Sequence, residues 1–101
     1  MKPRHAAALA LVGWYLMMPP ENFPSSDEPI STAPLEQWHV WHSFDAADEC
    51  ERFKLSEENR LWATVLRAEP YTNAQTFARV FHLEMVDAEC IASDDPRLKS
   101  N

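Results

Sequence analysis

Glycine is almost missing from this chain: Gly13 is the only one in 101 residues. No other residue type takes up positive φ without strain. Loops that need glycine to bring the backbone close to a phosphate, the P-loop and the dinucleotide fingerprint, are therefore excluded. Basic charge is scarce as well, with 9 Lys and Arg against 16 Asp and Glu and a net charge of −7. Nucleic acid, whose affinity for proteins comes largely from a basic face, is not an expected partner. Only two cysteines occur, Cys50 and Cys90. They form neither C-x-x-C nor C-x-x-C-H, so redox catalysis and covalent haem attachment have no motif to rest on. A long apolar run is lacking too. The longest, residues 6–18, would span only about 20 Å as a helix, against about 30 Å of bilayer hydrocarbon.

What is present begins at the N-terminus, MKPRHAAALALVGWYLMM. Lys2 and Arg4 precede the apolar run, and Pro19 and Pro20 end it. A basic start followed by a short apolar stretch is the pattern of a secretory signal. No small-x-small cleavage site follows closely, since Ser31, Thr32 and Ala33 lie far downstream. Residues 1–18 are therefore read as a signal peptide or as an uncleaved inner-membrane anchor, with Trp14 and Tyr15 suited to the interface. Export to the periplasm or beyond is the expected localisation. Membrane contact is expected only through this segment.

Residues 19–34 carry five prolines with serines and acids between them. Proline fixes φ and turns the preceding residue away from helix, so this stretch reads as an extended linker. The folded domain is expected over residues 35–95, with 96–101 a polar tail.

In LEQWHVWHSF, residues 35–44, apolar and polar side chains alternate, which predicts a strand. A helix follows, with Asp45 as N-cap and Asp48 and Glu49 in the first turn, where the dipole favours negative charge. Ala47, Cys50, Phe53, Leu61 and Val65 mark its apolar face. Ser56 offers a fresh N-cap, so a break near Leu55 is expected, and the helix stops before Pro70. Thr72 and Gln75 form a capping box, T-x-x-Q. Behind it Ala74, Phe77, Ala78, Phe81 and Met85 recur at helical spacing. Residues 89–93 predict a second strand, and Asp94-Asp95-Pro96 a turn.

The expected fold class is α+β: a small β-α-α-β domain in which a helical hairpin packs on two antiparallel strands. A bare helical hairpin is the other arrangement compatible with the pattern. In the β-α-α-β topology both cysteines fall at one end of the sheet. Closing a loop of about forty residues would contribute roughly 4 kcal/mol, and a core this small gains from such a staple. Two unpaired buried thiols in a reducing compartment are the alternative.

The segments RHAAALALVGWYLMMPP, SFDAADECE and ECIASDDPRLK resemble a group of short exported bacterial proteins. That group combines an apolar N-terminus, an SFD-x-A-x-EC segment and a terminal C-[VI]-ASDDPRLK. The likeness covers about a third of the chain. It implies export and pairing of Cys50 with Cys90. It brings no activity, so it assigns no functional residue.

Chemical signals are sparse. In Trp38-His39-Val40-Trp41-His42, His39 and His42 are candidate metal ligands, with His82 and Met85 able to complete a soft copper or zinc site. On a regular strand, however, the two histidines point to opposite faces. Ser43 beside His42 is adjacency in sequence without implied geometry. The acids at Asp45, Asp48, Glu49 and Glu51 read as a solvated helix start. No catalytic residue and no cofactor is assigned. The expected function is a non-enzymatic module that binds an envelope protein or peptide through Trp38, Val40 and Trp41. The other candidate is a periplasmic binder of a small molecule or metal.

Overall fold

The computed structural model describes residues 12–99. In chain order the elements are β1 (Trp14–Met18), β2 (His39–Phe44), α1 (Ala47–Arg67), α2 (Asn73–Asp87) and β3 (Glu89–Ala92), with 3₁₀ turns at Leu35–Gln37 and Pro96–Lys99. The class is α+β, and from residue 39 onward the order β-α-α-β is the expected one.

The sheet has three strands rather than two, in the order β2-β1-β3. The additional strand is the end of the apolar run, WYLMM. It pairs antiparallel with both neighbours. The strands read from residues 35–44 and 89–93 therefore do not pair with each other; they run parallel on either side of β1. Thus residues 14–18 belong to the folded domain, and residue 18 is not its boundary. The earlier part of the run, residues 1–11, lies outside the described residues.

Both faces of β1 are covered. On one face Leu16 and Met18 pack with Cys50, Leu61, Met85 and Ala88, with Trp14, Phe44 and Phe53 beside them. On the other, Met17 packs with Trp38 and Ile91, supported by Tyr15, Leu35 and Leu98. A strand buried on both faces has no polar side, so it reads as continuous apolar sequence, as a signal segment does. Gly13 stands just before it, where an added Cβ would lie 3.3 Å from the Phe44 carbonyl oxygen.

Residues 19–34 are not a free linker. Pro19 is fully buried. Ile30 N–H donates to the Pro20 carbonyl at 2.9 Å, and Phe23 meets Phe77 of α2 at 6.1 Å between ring centroids. Arg79 Nε donates to Asp27 Oδ2 at 3.0 Å. This strap lies along the hairpin. Residues 96–99 are likewise more than a tail, because Leu98 packs under the sheet.

Helix α1 runs without interruption through Leu55. Salt bridges Arg52–Asp48, Lys54–Glu58 and Arg60–Glu57 staple successive turns across the expected break. Its N-cap is Ala46 rather than Asp45, with no side-chain cap. Helix α2 starts as expected: Thr72 Oγ1 accepts from Gln75 N–H at 3.2 Å. Gln75 Oε1 returns to the Tyr71 N–H at 3.1 Å, one residue before the usual partner. The inward face of α2 is rotated from the expected one. Val80 and Glu84 are buried with Ala78 and Met85, while Phe77 and Phe81 are about half exposed.

Cys50 and Cys90 form a disulfide with Cα atoms 6.1 Å apart. Cys90 lies opposite Leu16 in the ladder, and Leu16 has no exposed surface. The bridge thus ties the first turn of α1 to β3 across the central strand.

Candidate functional site

The outer edge of β2 holds most of the residues singled out in the sequence. Its backbone polarity follows from β1. Ser93 N–H donates to the Gly13 carbonyl at 2.8 Å, so odd-numbered residues of β1 direct their peptide groups toward β3. Even-numbered ones then face β2, and Tyr15↔Ser43 and Met17↔Val40 are pairs without ladder hydrogen bonds. The peptide groups of Ser43 and Val40 therefore point away from the sheet. Ser43 N–H is engaged there by His42 Nδ1 at 3.2 Å.

A β-bulge breaks the register. Leu16 is opposite His42, and Met17 opposite Val40, which leaves Trp41 unmatched. The extra residue resets the alternation. His39 is paired with Met18 and His42 with Leu16, and both partners belong to the helix-facing cluster. The bulge thus places both histidines on one side of the sheet, contrary to the alternation read from sequence. The His42 ring is 5.1 Å from both Phe44 and Phe53, and those two rings are 5.3 Å apart. His42 is consequently part of an aromatic cluster under the start of α1. His82 packs on Trp62 at 5.2 Å. Among the described residues no group of three or more His, Cys, Asp or Glu side chains is placed to hold a metal ion.

The three aromatic and aliphatic candidates separate. Trp38 is buried, and its Nε1 donates to the Ala33 carbonyl at 2.9 Å, so it anchors the far face of the sheet and is no contact surface. It caps the 3₁₀ turn that replaces the first part of the expected strand. Val40 and Trp41 are about half exposed, at 49% and 48%.

The bulge directs Trp41 toward a groove of about 400 Å³ between β2 and the helical hairpin. Its lining is buried at Met18, Leu61, Ala78 and Met85 and half exposed at Trp41 and Phe81. One rim is polar. Arg60 Nη2 donates to Glu57 Oε1 at 2.7 Å, with Nε against the same carboxylate at 3.2 Å. These bonds and the carboxylate charge raise the Arg60 pKa above its ordinary value. Thr64 Oγ1 donates to the Arg60 carbonyl at 3.0 Å, so its proton is already used. The groove thus offers apolar walls and a charge-neutral ion pair. The size falls within the range of small-ligand sites, and a bulky apolar side chain would also fit.

The acids after β3 are arranged as a turn. Asp95 accepts from Arg97 Nε, Nη2 and N–H, and these bonds hold its pKa below the usual carboxylate range.

Sequence reasoning missed two residues near this surface. Met18 reads from the sequence as part of the export segment. Glu84 is 2% exposed, and its Oε2 has no hydrogen-bond partner. Its place at helical spacing from Phe77, Phe81 and Ala88 was the signal: a carboxylate within an apolar stripe. No family model, curated protein or solved structure matches the chain.

Proposed function

We propose that this is an exported, non-enzymatic module that holds an apolar side chain of an envelope protein or peptide in the groove between Trp41 and Phe81. The observation that carries the reading is the bulge at Trp41, which points a half-exposed indole into an open apolar groove at the sheet edge. The disulfide is compatible with the oxidising compartment that export implies. Simple strand addition along β2 is disfavoured by the same features. The bulge interrupts the ladder, and His42 occupies the Ser43 N–H. The partner is therefore gripped by side chains, with Val40 as the main-chain contact.

Panning a displayed peptide library on the oxidised protein tests this. Peptides with a bulky apolar residue should be enriched. Trp41→Ala should weaken them by about 30-fold or more, as loss of a central aromatic anchor does, with the thermal unfolding midpoint little changed. No enrichment, or equal binding by the variant, would sink the reading. The groove volume also supports a second reading, a small apolar molecule as ligand. Quenching of tryptophan fluorescence by medium-chain fatty acids, abolished in Trp41→Phe, would favour it over the peptide. The histidine pair leaves copper or zinc as the metal form of that reading, and calorimetry with either metal tests it. No heat at micromolar metal would end it.

A further inference from the structure

We propose that Glu84, facing Glu21, forms a proton-operated latch that holds the strap of residues 19–34 on helix α2 and releases it when the Glu84 proton is lost. Glu84 is one of the most deeply buried side chains described, and among the described residues its Oε2 has no hydrogen-bond partner. The charged group that acts on the Glu84 carboxyl is another carboxyl, Glu21 of the strap. A buried carboxyl that faces a second carboxyl keeps its proton more tightly, because its charged form loses water and meets a like charge. Burial first, and Glu21 second, push the Glu84 pKa up to about 7.

The remaining charges nearby are already matched. Arg79 of α2 and Asp27 of the strap are bonded to each other at 3.0 Å. Lys54, reaching α2 from α1, is held by Glu58 at 2.6 Å and by the Val86 carbonyl at 3.3 Å. β1 carries no acidic or basic side chain from Trp14 to Met18, and Glu89 of β3 is exposed. Among the described residues no cation is therefore placed to neutralise a charged Glu84.

The strap is otherwise lightly held. Among the described contacts, its grip on α2 consists of the Arg79–Asp27 pair, which is partly exposed, and the Phe23–Phe77 ring contact. An exposed ion pair is worth little. Repulsion between two unprotonated carboxylates is enough to decide whether the strap stays. Residue 84 adjoins Met85 of the groove lining, and the strap begins directly after Met18, so release also loosens one wall of the groove.

Amide hydrogen exchange of the full oxidised chain at pH 6 and pH 8.5, corrected for the intrinsic pH dependence, reads this out. Protection of residues 21–30 should fall at least tenfold at the higher pH while that of α1 is unchanged. Glu84→Gln, which mimics the protonated form, should keep the strap protected at both values. Glu21→Gln alters an exposed residue and cannot be confused with loss of the fold; it should do the same. Equal protection of the wild-type strap at both pH values would overturn the latch. So would the wild-type drop persisting in both variants.

Discussion

Glu84 shows how one buried group sets a pH dependence. Its folded pKa is raised to about 7 from an ordinary 4.5. Below 4.5 it is protonated whether the chain is folded or not. Between the two values the unfolded chain gives up the proton and the folded chain keeps it, so stability falls as pH rises. At about 1.4 kcal/mol per pKa unit the loss is roughly 3 kcal/mol, complete just above pH 7. Urea unfolding of wild type and Glu84→Gln should therefore diverge from pH 5 to pH 8, the variant becoming the more stable. Parallel curves would contradict this. Residue identity alone did not reveal the group, because a glutamate on a helix reads as solvated; only its place in an apolar stripe pointed the other way. The strap, which the proline content disguised as a linker, brings Glu21 to bear on Glu84. Trp38 misled in the opposite direction: an aromatic in a strand-like segment reads as half exposed, yet its indole N–H bonds Ala33 and its ring closes the far face.

Among the elements, the two helices were the most legible. Their apolar spacing, the Thr72 cap and the stop before Pro70 are local signals. The turn between them carries the mark of the missing glycine. Tyr71 has φ 64°, a left-handed conformation that β-carbon crowding disfavours, and its side chain is fully exposed. Gln75 offsets part of the strain by accepting from its N–H. Tyr71→Gly should relieve about 1 kcal/mol, partly offset by chain entropy. In a domain of this size that raises the melting temperature by a few degrees. A lower midpoint would show that the tyrosine contributes something its exposure does not suggest. β1 was not legible. Alternation identifies a strand with one wet face, and this strand has none. Register was also hidden, since the bulge at Trp41 adds a residue that no sequence pattern announces. That single insertion places His39 and His42 on one side and directs Trp41 into the groove.

For the molecule as a whole, the disulfide joins what the topology separates. β2 and β3 lie on opposite sides of β1, and the bridge from Cys50 to Cys90 spans it. With a loop of 40 residues, its loss should cost about 4 kcal/mol in the chain-entropy model. Chemical denaturation of the oxidised protein against Cys50→Ser/Cys90→Ser checks this, and equal midpoints would refute it. The pairing was readable because cysteine number and an export-like start together point to it. The groove was not, because its lining joins Met18 of an unforeseen strand, Trp41 at a bulge and the rotated face of α2.

The proposed export and the fold meet at residues 14–18. If the N-terminus serves as a signal, processing has to leave the central strand in place. Intact mass spectrometry of the protein recovered from the bacterial envelope, alkylated under denaturing conditions with and without prior reduction, tests the two together. The account predicts a chain that retains Trp14–Met18 and has no thiol open to alkylation until it is reduced. A mature chain beginning after Met18, or two free thiols, would contradict it.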